Sequence, residues 1–174
     1  MTQPTDVLLV NAIVLTMDEK LSSFEPGAVA ISGDSLIAVG PEAELRQAFS
    51  PLEVVDCGGK VVMPGLVNAH THVPMTLLRG LADDLRLDVW LLGYMMPVER
   101  EFVCPEFVRL GTQVACVELI RSGVTCFADM YYFEEEVAAA AKEAGIRGVL
   151  GQTIIQFPVA DAKTPAEGLR RAEA

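Results

Sequence analysis

Histidine is scarce in this sequence: its 174 residues include two, together with one tryptophan and four cysteines. The cysteines include no C-x-x-C pair and form no tight cluster; they are Cys57, Cys104, Cys116 and Cys126. This pattern argues against a disulfide scaffold and against a zinc finger. It predicts a chain whose thiols are reduced.

Long hydrophobic runs and a basic amino-terminal segment are also missing. The apolar stretch 7–17 is interrupted by Asn11 and followed by Asp18 and Glu19. It therefore fits neither a signal peptide nor a transmembrane span. We predict a cytoplasmic protein.

Basic residues are too few to balance the acidic ones. There are 13 Lys and Arg against 24 Asp and Glu, which gives a formal net charge of -11. A surface of this sign repels phosphate backbones and anionic lipid, so we expect neither nucleic acid nor a membrane as a partner. Hydrophobic residues make up 51% of the chain, enough for a buried core.

The first sixty residues contain short apolar segments separated by turn residues. The segments 7–10 and 13–16 flank Asn11-Ala12, and the segments 28–31 and 36–39 flank Ser32-Gly33-Asp34-Ser35. Both arrangements predict β-hairpins, and the second is the stronger signal because Gly and Asp tolerate positive φ. We predict a β-rich domain over residues 1–62.

From residue 63 onward, apolar strands alternate with helices. Strands are predicted at 66–72, 124–130 and 146–156, and helices at 105–121, 134–144 and 164–174. This alternation is typical of parallel βαβ units. The sequence stops within the last predicted helix, so we expect it to be part of a longer protein.

The two histidines form an H-x-H motif at the end of the first of these strands. Side chains at i and i+2 of a strand lie on one face, about 6–7 Å apart. His70 and His72 therefore suit two ligands of one metal ion, and zinc, iron and manganese all accept imidazole. By spacing alone, two polar residues closing an edge strand remain the alternative.

The surrounding residues resemble the signature of the amidohydrolase superfamily. Residues 56–72 read DCGGKVVMPGLVNAHTH, with a Pro-Gly-Leu turn before the strand that carries the H-x-H motif. The resemblance continues through VPMTLLRGLADDL at 73–85, WL at 90–91, PVE at 97–99, SGVT at 122–125 and DMY at 129–131. It is strongest to the branch of methylthioadenosine/adenosylhomocysteine deaminases and triazine chlorohydrolases.

The resemblance implies an α/β fold: a small β-sandwich-like domain (1–62), completed by carboxy-terminal residues, precedes the first three β/α units (63–174) of a truncated (β/α)8 TIM-type barrel. It also implies one divalent metal ion, zinc or less often iron, held by His70, His72 and later residues. In that family a hydroxide on the metal attacks a ring carbon bearing an amino group or chlorine. The general acid and base residues come from later strands, so we expect no catalytic residue within this chain.

Two further residues resemble substrate-binding residues of this branch. Trp90 resembles the aromatic residue that covers the substrate, with a core position as the alternative. Glu99 resembles the carboxylate that accepts ribose hydroxyls, with a solvated acid beside Glu101 and Glu106 as the alternative. Gln152 stands where an arginine is common in adenosylhomocysteine-type enzymes.

Three other charged residues are expected to be structural. Arg79 matches the family motif and is expected to hold the long loop together. Glu118 and Arg121 are expected to form an ion pair along one helix, three residues apart.

These observations favour a metal-dependent deaminase of a purine-like or other nitrogen heterocycle, with a small molecule as partner. A triazine-type chlorohydrolase or another C–N hydrolase is the alternative within enzymes. A truncated, non-catalytic homologue that serves as a folding or assembly unit is the alternative from another class. The full-length protein is expected to be a homo-oligomer. The isolated chain is expected to be inactive and to need a companion segment that carries the rest of the barrel.

Overall fold

The chain folds as two compact units, one ending at Pro64 and the other beginning at Gly65. The structure is a computed structural model that describes residues 2–173. Among these residues, no helix is both long and apolar enough to cross a membrane.

The first unit is a five-stranded sheet with one helix. Its elements are β1 (Gln3–Leu15), β2 (Ser23–Ser32), β3 (Ser35–Pro41), α1 (Glu42–Ala48), β4 (Phe49–Asp56) and β5 (Val61–Val62). The order is β3-β2-β1-β4, and β5 also pairs with β1. The pairs β1–β2 and β2–β3 are antiparallel, whereas β4 and β5 run parallel to β1.

The predicted hairpin at Asn11-Ala12 is wrong, because β1 runs continuously through it. Asn11 adopts a φ of 51°, and the register of β1 against β2 shifts at this point, which makes a β-bulge. The Asn11 amide side chain donates to Asp56 Oδ1 at 2.8 Å. The second predicted hairpin is confirmed: Ser32 pairs with Ser35 around a two-residue turn.

Apolar side chains of this unit pack on both faces of the sheet. The larger cluster is formed by Leu8, Val10, Ala28, Ala30 and Leu45, of which Leu45 comes from α1. Residues 2–64 contain one sheet, and the second layer of the expected sandwich-like domain is not among them.

The second unit contains a three-stranded parallel sheet with helices between its strands. Its elements are β6 (Leu66–Thr71), a 3-10 helix (Val73–Leu78), α2 (Leu87–Val89), a π-helix (Trp90–Met95), α3 (Met96–Phe102), α4 (Pro105–Arg121), β7 (Val124–Tyr131), α5 (Glu134–Ala144), β8 (Arg147–Gln152) and α6 (Pro165–Ala172). The order is β6-β7-β8, and both pairs are parallel. The predicted parallel α/β arrangement is confirmed, although the third strand ends earlier than predicted, at Gln152.

The helix boundaries follow local signals in the sequence. Pro105 begins α4, where its missing N–H costs nothing, and Gly145 ends α5 in the left-handed conformation with a φ of 73°. Thr164 caps α6, its hydroxyl accepting from the Glu167 N–H at 3.3 Å. The core between the helices and the sheet is centred on Phe127, Val108 and Val137, all fully buried.

One close approach positions the segment that follows the histidines. A Cβ atom at Gly111 of α4 would lie 2.5 Å from the carbonyl oxygen of Pro74. Only glycine allows α4 to pack so closely against the 3-10 helix. The backbone directly after His72 is therefore held against the core.

Candidate metal and substrate site

The two histidines lie together at the carboxyl end of β6. His70 is within the strand, and His72 follows its last residue, Thr71. Their ring centroids are 5.1 Å apart and the ring planes are nearly perpendicular, at 79°. The structure therefore places the two imidazoles side by side, as the strand spacing predicts.

His72 is oriented by the neighbouring strand. Its Nδ1 atom lies 2.5 Å from the carbonyl oxygen of Met130, near the end of β7. A carbonyl oxygen accepts, so Nδ1 carries the proton and Nε2 keeps its lone pair. The Val73 N–H donates to Asp129 Oδ1 at 2.7 Å, so two hydrogen bonds join the ends of β6 and β7.

Two buried carboxyl groups, for which the sequence assigned no site role, adjoin each other: Asp129, which lies near the histidines, and Glu134. Asp129 ends the apolar run of β7, and Glu134 begins α5; their exposed fractions are 5% and 7%. Glu134 Oε1 accepts from the Tyr131 N–H at 2.5 Å. Asp129 Oδ2 and Glu134 Oε2 accept from no N–H or hydroxyl donor within residues 2–173, and the two carboxyl groups lie within hydrogen-bonding reach of each other.

Burial raises the pKa of both carboxyl groups. The negative charge of Asp129 raises the pKa of Glu134 further. The sequence signal was ambiguous, because Glu134 is the first of three consecutive glutamates and reads as a solvated first turn that stabilises the helix dipole. A negative residue at the end of an otherwise apolar strand was the clearer signal.

Trp90 and Glu99 line one cavity together with His72. Trp90 begins the π-helix, and Glu99 lies in α3. The cavity has a volume of about 170 Å³ and is also lined by Met75, Leu91, Met130, Tyr131, Tyr132, Thr153 and Ile155. Three of the four predicted site residues therefore border one space, and the fourth, His70, adjoins His72.

Glu99 is not the solvated acid that was the alternative interpretation. Its exposed fraction is 7%, whereas Glu101 and Glu106 are exposed. Burial raises the pKa of Glu99, and the Tyr131 hydroxyl partly offsets this rise by donating to Oε1 at 2.9 Å. Trp90 is half-buried, as a residue at the wall of a cavity would be.

Arg79 takes the partner that was expected for Arg121. Its guanidinium donates to both carboxylate oxygens of Glu118, at 3.0 and 2.6 Å, and so joins the loop to α4. The expected pair between Glu118 and Arg121 is therefore wrong. Gln152, at the end of β8, donates from Nε2 to Asp161 Oδ2 at 2.7 Å.

The residues that could hold a metal ion here are the two histidines alone. Among residues 2–173, no group of three or more His, Cys, Asp or Glu side chains is placed to hold an ion. Two neighbouring imidazoles fit part of a zinc site, which needs three or four protein ligands. The remaining ligands would have to come from outside these residues.

Comparison with known proteins agrees with this geometry. The chain matches the model of the Amidohydrolase family over residues 61–174. It is 49% identical over 164 residues to a 5-methylthioadenosine/S-adenosylhomocysteine deaminase of Syntrophus aciditrophicus, covering 94% of this chain and 37% of that protein. The chain thus spans little more than a third of the length of such relatives.

Solved structures share the fold. An adenosine deaminase from Xanthomonas campestris with bound zinc superposes with a TM-score of 0.93 at 43% identity, covering 99% of this chain and 39% of that one. The atrazine chlorohydrolase of Arthrobacter aurescens TC1, complexed with zinc, gives a TM-score of 0.74 at 21% identity, covering 86% and 36%. The second likeness concerns the fold alone. The chain belongs to the amidohydrolase family.

Proposed function

We propose that this chain is the amino-terminal part of a metal-dependent hydrolase that deaminates a purine riboside. One observation carries the proposal. The paired imidazoles of His70 and His72 adjoin a cavity whose walls include an aromatic ring, Trp90, and a buried carboxylate, Glu99. A flat ring surface suits a heterocycle, and a carboxylate suits the hydroxyls of a sugar.

In this proposal the histidines hold a divalent ion, zinc rather than iron. At His72 the metal-binding atom is Nε2, because Nδ1 is engaged by the carbonyl oxygen of Met130. An ion bound here would supply a nucleophilic water at neutral pH. Zinc in the adenosine deaminase from Xanthomonas campestris supports the choice of metal.

The finer description of the fold is part of the same proposal. Residues 63–174 would supply the first three β/α units of a (β/α)8 barrel, and residues 1–62 a β-rich domain completed by other residues. The parallel order β6-β7-β8 and the likeness to the Xanthomonas campestris enzyme support this assignment. Acid and base residues, and the remaining metal ligands, would then lie outside this chain. A cytoplasmic location and a homo-oligomeric state remain predictions.

Deamination is favoured over dechlorination for two reasons. The two relatives described above with more than 40% identity are named as deaminases, whereas the atrazine chlorohydrolase is 21% identical. Glu99 also gives the cavity a buried acceptor. A chlorotriazine carries no sugar hydroxyls that would donate to it.

The test is a substrate panel on the zinc-loaded full-length protein. Ammonia release is measured with adenosine, 5′-methylthioadenosine, S-adenosylhomocysteine and guanine, and chloride release with atrazine. We expect the highest kcat/KM with an adenine riboside. A preference for atrazine would replace the proposal by the chlorohydrolase alternative, and a zinc-loaded protein that turns over none of these compounds would favour a non-catalytic homologue.

A further inference from the structure

The carboxylate of Glu99 is hydrogen-bonded by two neighbouring tyrosines, Tyr131 and, more weakly, Tyr132. Its Oε1 atom accepts from the Tyr131 hydroxyl at 2.9 Å, and no lysine or arginine in this part of the chain pairs with it. An ionised carboxylate has about four acceptor sites. Glu99 therefore keeps capacity to accept from a ligand, in an orientation that the Tyr131 hydroxyl helps to fix from the protein side.

Tyr131 is itself rigidly held. Its N–H donates to Glu134 Oε1 at 2.5 Å, and its carbonyl oxygen accepts from the Thr153 N–H at 3.0 Å. Its ring lies 4.8 Å from the ring of Tyr132, centroid to centroid, and the residue is 4% exposed. Because the ring is held in place, its hydroxyl donates from a fixed position and does not move with the carboxylate.

The same ring also adjoins the proposed metal ligand. The centroids of Tyr131 and His72 are 6.3 Å apart, with ring planes tilted by 40°. Tyr131 thus adjoins the imidazole of His72 and hydrogen-bonds to the carboxylate of Glu99, and both of these groups line the same cavity.

We propose that Tyr131 is a positioning residue that aims Glu99 at the vicinal hydroxyls of a riboside, and thereby makes a ribose diol a requirement for tight binding. The inference rests on the proposed function. Tyr131 donates no proton to the reaction and touches no reacting atom. Its effect is on binding of the sugar. Without the Tyr131 hydroxyl, the Glu99 side chain populates several rotamers, and its carboxylate is less often oriented to accept from the diol.

The experiment uses the zinc-loaded full-length protein and a Tyr131→Phe variant, which keeps the ring and its packing. KM and kcat are measured with adenosine and with 2′,3′-dideoxyadenosine. Binding of the products inosine and 2′,3′-dideoxyinosine is measured by calorimetry, without turnover. Tyr94→Phe is the matched control, because it removes the hydroxyl of an exposed tyrosine outside the cavity.

We expect Tyr131→Phe to raise KM for adenosine and Kd for inosine about tenfold, the size typical of a lost hydrogen bond to a charged group. The values for the dideoxy compounds, kcat and zinc content should stay within about twofold of the wild type, as should all values of Tyr94→Phe. In a Glu99→Gln background, Tyr131→Phe should add little, since both changes act on one contact.

Equal increases in KM for adenosine and for 2′,3′-dideoxyadenosine would overturn the inference, because Tyr131 would then support the cavity as a whole. An unchanged KM for adenosine would overturn it as well. If Tyr131→Phe does not fold, Glu99→Asp supplies the comparison, because it withdraws the carboxylate from the Tyr131 hydroxyl but keeps the charge; the same diol-specific loss is expected. A wild type without riboside activity refutes the proposed function itself, and the inference with it.

Discussion

The imidazole Nδ1 of His72 lies 2.5 Å from the carbonyl oxygen of Met130, so the end of one strand orients a side chain at the end of the next. The adjoining Val73 N–H is held by Asp129 Oδ1 at 2.7 Å. Partners of this kind fix the ring direction and the tautomer of a metal-binding histidine. The first prediction follows from this pair of contacts.

Asp129→Ala should weaken zinc binding by the full-length protein about tenfold to a hundredfold, because the backbone that follows His72 loses the carboxylate that accepts from the Val73 N–H. Asp129→Asn keeps an oxygen that accepts from Val73 and should restore most of the affinity. Competition with a chromophoric chelator measures both. Equal weakening by the two variants would show that the charge of Asp129, not its hydrogen bond, matters.

Glu134 should make stability fall as pH rises. Burial and the nearby Asp129 raise its pKa in the folded protein above the value near 4.5 of a free side chain. The folded state therefore binds more protons than the unfolded state above about pH 4.5, and the free energy of unfolding declines until the raised pKa is passed.

Glu134→Gln should flatten this decline, because the amide stays neutral. Thermal unfolding of the full-length protein is measured from roughly pH 5 to pH 8, the range in which the raised pKa of Glu134 makes stability depend on pH. Glu135→Gln, at the exposed neighbouring position, should leave the slope unchanged. An identical slope in wild type and Glu134→Gln would contradict the assignment.

Gly111→Ala should destabilise the protein by about 1–3 kcal/mol, the usual cost of overpacking. The added Cβ would lie 2.5 Å from the Pro74 carbonyl oxygen and 2.8 Å from its Cα, both backbone atoms. Gly93→Ala is the control, since nothing lies within 4 Å of its Cβ position. Chemical denaturation measures both, and equal effects would disprove the close packing of α4 on the 3-10 helix.

The 174-residue chain alone should self-associate. Within residues 2–173, β6 and β8 are the outer strands of their sheet, and each exposes a large apolar side chain: Val67 at 66% and Val149 at 68%. Unpaired apolar edges promote association. Sedimentation velocity should show association that increases with concentration. A monomer with a cooperative thermal transition would mean that these edges are adequately protected.

The sequence predicted those features that depend on local chemistry. An i, i+2 spacing on a strand brings His70 and His72 side by side, and capping residues set the limits of α4, α5 and α6. Such signals act within a few residues and need no knowledge of the remainder of the fold. The convergence of Trp90 and Glu99 on one cavity followed from family resemblance, not from periodicity.

Features that depend on distant partners could not be predicted. Asn11 looks like a turn, yet its hydrogen bonds with Asp56 and Glu42 hold it as a bulge inside a long strand. Glu118 has a suitable partner one turn away, but Arg79 reaches it from a loop 39 residues distant in sequence. In both cases a tertiary contact outweighs the local preference.

The central claim is that His70 and His72 bind the ion on which the activity depends. Zinc content and ammonia release from adenosine are measured together, in the full-length wild type and in a His70→Ala, His72→Ala double variant. We expect about one zinc per chain together with activity in the wild type, and loss of most of the zinc and most of the activity in the variant. A double variant that keeps its zinc and its activity would contradict the claim.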